Sequence, residues 1–426
     1  MTIVVFLGSL LGSMALGIPV AFALLFTGLM LMLWMGIFNA QIVAANMITG
    51  ADTFTLLAIP FFILAGELMN TGGLSKRIIN FAVACVGHLR GGLGIVAIIA
   101  AVILAALSGS AAADAAALAS ILIPMMREAG YNVPRSAGLI ASGGIIAPVI
   151  PPSIAFIIFG VAANVSITRL FMGGIFPGLL MAMMLVITWL IVVRHEKVAV
   201  LPRQPARVRL IATYRAAWAL GMPAIILGGI RFGVFTPTEA AVVAAAYAFF
   251  VGFVIYGELK VRDLYGVLLR AAKTTSVVLF LVAAALVSAW LITSANIPAE
   301  IGRFIEPLIE RPKLLLFAIM ILILMVGMAL DLAPTILILT PVLMPIIREA
   351  GIDPVYFGVI FVMNTCIGLI TPPVGIVLNV VGSVSRVPLG QVIYGVLPFL
   401  LAQVFVLFLL VLFPGLVLVP LQWIYG

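Results

Sequence analysis

The sequence predicts an all-α polytopic membrane protein built on an inverted repeat, with about ten spans and two re-entrant hairpins. Three observations carry this. The chain has 426 residues, 65% hydrophobic and 8% charged, where soluble domains carry about 25% charge. Apolar runs of span length recur from end to end. One stretch of the first half returns in the second: "IPMMREAGYNVPRSAGLI" (123–140) matches "MPIIREAGIDPVYFGVI" (344–360), and the paired prolines Pro151-Pro152 then match Pro372-Pro373.

Taken in order, residues 1–53 hold the first scaffold helices, with spans at Ile3–Leu16 and Pro19–Met35. The N-terminus lacks a basic n-region and reads as a retained span rather than a cleaved signal. Residues 54–193 form repeat 1: a span at Phe54–Thr71, a hairpin at about 93–127, a broken helix at about 137–163 and a span at Leu170–Val193. A basic cytoplasmic loop follows at 194–215. Residues 216–273 are the second scaffold helices, with spans at Ala216–Ile230 and Glu239–Tyr256. Residues 274–426 form repeat 2: a span at Thr274–Thr293, a hairpin at about 314–348, a broken helix at about 355–381 and a span at Gln391–Phe413. The two hairpins are too long for one crossing and have small or polar middles, "LSGSAAAD" (107–114) and "GMALDLAP" (327–334). Backbone that leaves the helix at membrane depth is tolerated only where protein or water covers it.

The charges test this topology. Ten crossings and two returning hairpins place sixteen of the 22 Lys and Arg on one side, including Lys76, Arg77, Arg90, Arg127, Arg135, Arg386, Lys197 and the other basic residues of Arg194–Arg215. The six on the opposite side are Arg169, Arg231, Arg303, Arg311, Lys313 and Arg348. The positive-inside rule makes the richer side cytoplasmic, which leaves both termini periplasmic. Five crossings between the hairpins put the halves in opposite orientation, the arrangement of secondary transporters with midplane sites. The net charge of +8 is scattered among apolar runs, which excludes a nucleic-acid partner and fits a membrane one, with lipid as its surroundings. Cys85 and Cys366 give no redox or disulfide pattern. No GxxxxGK[ST] or HExxH occurs, and the histidines are His88 and His195 alone; ATP hydrolysis and zinc proteolysis lack their residues, and the chain is not expected to be an enzyme or to hold an organic cofactor.

The breaks carry the candidate sites. Proline removes helix hydrogen bonds and frees carbonyls. Sodium, a hard cation, takes such carbonyls together with hydroxyls, while half-helix ends supply dipoles for cation and anion. The first candidate ion site joins Ser108, Gly109 and Ser110 to Gly144, Pro148 and Pro151. The second joins Gly327 and Asp331 to Thr365, Gly368, Thr371 and Pro372. Ser110, Ser153, Asn364 and Pro373 are placed near the substrate. Asp331 and Asp114 are acids in apolar runs, open to ion ligation, proton relay or helix capping. The two "REAG" segments, Arg127–Gly130 and Arg348–Gly351, read as helix C-termini.

With these residues in view, "AIPFFILAGELMNTGG" (58–73), "SGSAAADAAA" (108–117), "GVFTPTEAAVVAAAYA" (233–248) and "GLITPPVG" (368–375) resemble the large transmembrane subunit of tripartite ATP-independent periplasmic (TRAP) transporters, over essentially the whole chain. The resemblance implies an elevator-type, sodium-coupled importer of the bacterial inner membrane. A periplasmic substrate-binding protein would deliver an organic acid, such as a C4-dicarboxylate, sugar acid, sialic acid or keto acid, and a separate small four-helix membrane subunit would brace the chain. It also implies sodium at both candidate ion sites, with substrate between them. The alternatives are a stand-alone divalent-anion/sodium symporter and, more remotely, a membrane-embedded enzyme or a channel.

Overall fold

A computed structural model of the chain describes residues 1–194, 196, 198–300 and 309–425; His195, Lys197 and Arg303 lie outside the described residues. The described residues are helical, without strands. The first helices are α1 (Thr2–Ala15), α2 (Val20–Met35), α3 (Ala40–Ala51), α4 (Ala58–Thr71) and α5 (Leu74–Val86). The first hairpin is α6 (Gly92–Ser108) and α7 (Ala111–Glu128), and the first broken helix is α8 (Val133–Gly144) and α9 (Ile154–Ala163). Then come α10 (Ile167–Val193), α11 (Ala206–Arg231), α12 (Pro237–Phe250, continued by a π turn at Val251–Ile255) and α13 (Val261–Ser294). The second hairpin is α14 (Pro312–Gly327) and α15 (Leu332–Glu349). The second broken helix is α16 (Pro354–Gly368) and α17 (Ile376–Ser385), before α18 (Leu389–Leu412) and α19 (Gly415–Tyr425).

Both hairpins and both breaks therefore form where the sequence places them. Three elements lie outside the expected plan: α3, the strongly amphipathic α5 and the terminal α19. The basic loop is also shorter than expected, because α11 begins at Ala206 and carries its span inward from there. Likewise α13 runs unbroken for 34 residues, absorbing Val261–Lys273 ahead of the expected span. Among the described residues seven helices are long and apolar enough to cross a bilayer by themselves, and one of these, Leu332–Glu349, is a hairpin arm. The half-helices of each break reach span length only in pairs.

Cross-chain bonds sort the loops into two ends. Arg135 pairs with Glu196 at 2.6 Å, Arg90 donates to the Arg194 carbonyl at 2.9 Å, and the Ala199 amide donates to the Ala129 carbonyl at 2.9 Å. These join the loops after α5, α7 and α10 at one end. Arg77 and Glu258, 2.8 Å apart, place the start of α5 beside the end of α12. Thr238 Oγ1 donates to the Phe54 carbonyl at 3.4 Å, bringing the starts of α12 and the α4 segment together.

The two repeats interleave. Each second hairpin arm packs on the first half of its own broken helix, α7 on α8 and α15 on α16, and also on the second half of the other repeat's broken helix, α7 on α17 and α15 on α9. The two "REAG" arginines lock this exchange. Arg127 Nη2 donates to the Ser385 carbonyl at the end of α17, 3.1 Å away. Arg348 Nη2 donates to the Ala163 carbonyl at the end of α9, 2.9 Å away. A cation on the last carbonyls of a helix satisfies orphan acceptors and complements the dipole. Both arginines thus have a structural role, each in the opposite repeat.

Candidate functional site

The first hairpin turns in one step. Gly109 takes the left-handed conformation, φ +63°, and a Cβ there would stand 3.0 Å from the Pro152 carbonyl oxygen. The tip therefore lies directly against the first break. Ser108 Oγ donates to Asp114 Oδ1 at 2.5 Å and accepts from the Ser110 amide at 3.2 Å. Ser110 caps α7, its Oγ accepting from the Ala113 amide at 3.4 Å. Asp114 is 2% exposed, and its second oxygen, Oδ2, is buried without a partner. Buried acceptors without partners are few in folded proteins, and an ion or an ordered water is one way in which such a set is completed.

Across from the tip, Ser153 spans the break. Its Oγ donates to the Pro148 carbonyl at 2.5 Å and accepts from the Phe156 amide at 3.2 Å, capping α9. Gly144, at the end of α8, lies so close to α7 that a Cβ would stand 2.7 Å from that of Ala115. The Pro151–Pro152 peptide is cis, as is Pro372–Pro373 in the second break.

The second hairpin turns more slowly, through Met328–Leu330. Asp331 caps α15: its Oδ1 accepts from the Leu332 amide at 2.8 Å and its carbonyl from Thr335 Oγ1 at 2.8 Å. Gly327 meets α16 backbone to backbone; a Cβ on Gly368 would stand 2.6–2.8 Å from the Gly327 backbone. Thr365 Oγ1 donates to the Phe361 carbonyl at 2.9 Å and Thr371 Oγ1 to that of Ile367 at 2.7 Å. A hydroxyl that has given its proton to its own helix keeps its lone pairs for another partner, and that is how a hydroxyl ligates a cation. Asn364 Nδ2 donates to the Met320 carbonyl at 2.6 Å, while its Oδ1 is buried and unpartnered. Asp114 Oδ2 at the first tip and Asn364 Oδ1 at the second break are both orphan buried oxygens, as are those of Ser142, Thr340 and Gln403 among the described residues.

Between the hairpins lies a cavity of about 310 Å³. It receives the first turns of four helices: Ala111–Ala113 of α7, Ile154 and Ala155 of α9, Leu332 and Ala333 of α15, and Ile376 and Val377 of α17. Ser108, Gly109, Ser110 and Asp331 line it. The remaining candidate residues stand outside that lining: Gly144, Pro148, Pro151 and Ser153 around the first break, and Gly327, Asn364, Thr365, Gly368, Thr371, Pro372 and Pro373 around the second. Of the four residues placed near the substrate, only Ser110 faces the cavity. Ser153 and Asn364 are fully buried, and Pro373 is exposed outside it.

Sequence reasoning missed the cavity's other wall, Gly66, Glu67 and Asn70 on α4 with Thr274 on α13. A signal was available, since "GELMN" sets polar residues at the end of an apolar run. Arg270 closes this rim, its Nε donating to Glu67 Oε2 at 2.7 Å and its Nη2 to Thr71 Oγ1 at 3.3 Å.

Two hairpins facing two broken helices, repeated and exchanged around one cavity, define a multi-pass membrane transporter. Residues 7–416 match the family model described as "Tripartite ATP-independent periplasmic transporter, DctM component". The chain belongs to that family, and it is a transporter component rather than an enzyme. It is 55% identical to the Escherichia coli 2,3-diketo-L-gulonate TRAP transporter large permease protein YiaN, over the full length of both chains. It is 40% identical to the Pseudomonas aeruginosa C4-dicarboxylate TRAP transporter large permease protein DctM, covering 91% of this chain and 90% of that one. Identity to the Vibrio cholerae sialic acid TRAP transporter large permease protein SiaM is 38%, covering 95% of each. Among solved structures the Alcanivorax borkumensis YdaH transporter superposes with a TM-score of 0.65 at 15% identity, covering 88% of this chain and 87% of that one; the likeness is one of fold.

Proposed function

We propose that the chain is the sodium-coupled, elevator-type permease subunit of an inner-membrane importer for an organic acid. A periplasmic binding protein delivers the acid and a small four-helix subunit braces the permease. The observation that carries this reading is the convergence of four helix N-termini on one cavity. Each brings its first-turn backbone and the positive end of a dipole to the cavity, so together they suit a carboxylate without a buried arginine. The diketogulonate, dicarboxylate and sialic acid named for the relatives all bear carboxylates. Behind the two tips, the orphan oxygens of Asp114 and Asn364 and the spent hydroxyls of Ser108, Thr365 and Thr371 supply the hard donors that sodium takes. Sodium on both sides of the cavity adds positive charge as substrate enters, which couples the two bindings.

The cavity wall on α4 and α13 is made by the ends nearest Arg270, on the side rich in Lys and Arg. With that side cytoplasmic and both termini periplasmic, the described conformer faces inward. The test is uptake of labelled 2,3-diketo-L-gulonate and C4-dicarboxylates into proteoliposomes holding both membrane subunits. Uptake is expected to need the binding protein and an inward sodium gradient. Equal uptake with potassium in place of sodium would remove the ion assignment, and uptake without any soluble protein would favour a stand-alone symporter.

A further inference from the structure

A second cavity, of about 670 Å³, lies away from the substrate cavity, between α5, α11 and the chain that follows α12. We infer that it binds the headgroup of an anionic phospholipid. Lys76, Arg77 and Arg215 bring three cations to its wall, against one carboxylate, that of Glu258. Arg77 is already held: its Nη1 is 2.8 Å from Glu258 Oε1 and donates to the Gly73 carbonyl at 3.0 Å, and its guanidinium lies 3.7 Å over the Tyr256 ring. Lys76 and Arg215 have no carboxylate partner among the described residues. The cavity is braced from behind, with Tyr256 Oη donating to the Arg215 carbonyl and Tyr247 Oη to the Trp218 carbonyl, each at 2.7 Å.

The wall is not only cationic. Tyr214 is 74% and Trp218 42% exposed, and Val208 and Ile211 are exposed beside them. Aromatic rings next to free cations are what a membrane interface requires, and an apolar strip leading from the cations suits acyl chains. Basic pockets between helices on such a face select acidic headgroups. A free phosphate would use the cations but leave the apolar strip uncovered, so the observations favour the lipid.

The test uses the full chain purified in mild detergent after exchange into phosphatidylglycerol or phosphatidylcholine, with retained lipid counted by native mass spectrometry. Wild type is expected to retain phosphatidylglycerol in preference, and the double variant Lys76→Gln/Arg215→Gln to lose roughly tenfold or more of that preference. Unfolding temperature in lipid-free detergent should be the same for both proteins, which separates lost binding from lost folding. Phosphatidylglycerol, but not inorganic phosphate, should raise the unfolding temperature of wild type and not of the double variant. Equal retention of the two lipids by wild type would overturn the proposal. Stabilisation by inorganic phosphate alone would make the site one for a free anion, and loss of the lipid on addition of the small subunit would make it a subunit interface; either result also overturns it.

Discussion

The two hairpins share a backbone plan and differ in chemistry. In the first, the turn takes a single left-handed glycine, and the polar work falls to side chains: Ser108, Ser110, Ser153 and the buried Asp114. In the second, contact between hairpin and break is made by Gly327 and Gly368 main chain. The only acid there, Asp331, caps a helix at the cavity wall. The helices after the breaks differ in the same sense. The α9 helix opens on a serine cap, whereas α17 opens on Gly375 in the left-handed region with no side-chain cap. Symmetry of fold thus leaves the two halves free to divide their tasks. The first half buries a carboxylate at its tip, that of Asp114, and the second presents neutral oxygens, those of Asn364, Thr365 and Thr371; under the proposed function the first would balance a cation and the second would share cation and substrate.

The largest effect is expected where the second half depends on bare backbone. In Gly368→Ala the new methyl meets Gly327 main chain, which has no side chain to move aside. Overpacking of this kind costs about 1–3 kcal/mol, and proteoliposome uptake should fall by well over tenfold. A control is Gly143→Ala on α8, whose methyl would meet only the Ala101 Cβ at 3.3 Å and should keep most of the uptake. Equal loss in both would show that the fall does not come from close backbone approach.

Next in size is the charge itself. Asp114→Asn keeps the shape but removes a buried carboxylate, so half-maximal sodium for uptake should rise at least about tenfold, the scale of one lost charge-assisted contact. Asp331→Asn keeps an N-cap and should change sodium activation far less. A larger shift from Asp331 would reverse the division of labour drawn above. Smaller again, Ser108→Ala with Ser110→Ala, or Thr371→Ala, should weaken sodium activation several-fold more than it lowers expression, since each hydroxyl contributes about 1 kcal/mol. Sodium titration of uptake, normalised to reconstituted protein, reads all four.

Much of this was legible in the sequence, for physical reasons. Hairpins and breaks are local: a long apolar run with a small middle, or prolines at membrane depth, admits few alternatives, and both hairpins end within two residues of their expected limits. Ser110 and Asp331 were legible as polar residues at hairpin tips. The exchange of α9 and α17 between repeats was not, because partner choice across the chain leaves no local pattern. Of the α4 and α13 wall, Glu67 and Asn70 left a signal in "GELMN", but Gly66 and Thr274 did not, since they resemble ordinary packing residues until a neighbour is placed against them. Helix α5 escaped because an amphipathic helix that carries Lys76 and Arg77 fails any test for a continuous apolar span.

Where the two halves are alike, the effects should match and be small. Arg127 and Arg348 each reach a helix end in the opposite repeat, and a partly exposed cation on such an end contributes about 0.3–1 kcal/mol. Arg127→Gln and Arg348→Gln should therefore each lower the unfolding temperature by a similar, slight amount and leave sodium activation unchanged. Should Arg348→Gln alone alter substrate affinity, that arginine would act on the anion rather than on α9, and the symmetry of the exchange would stop short of function.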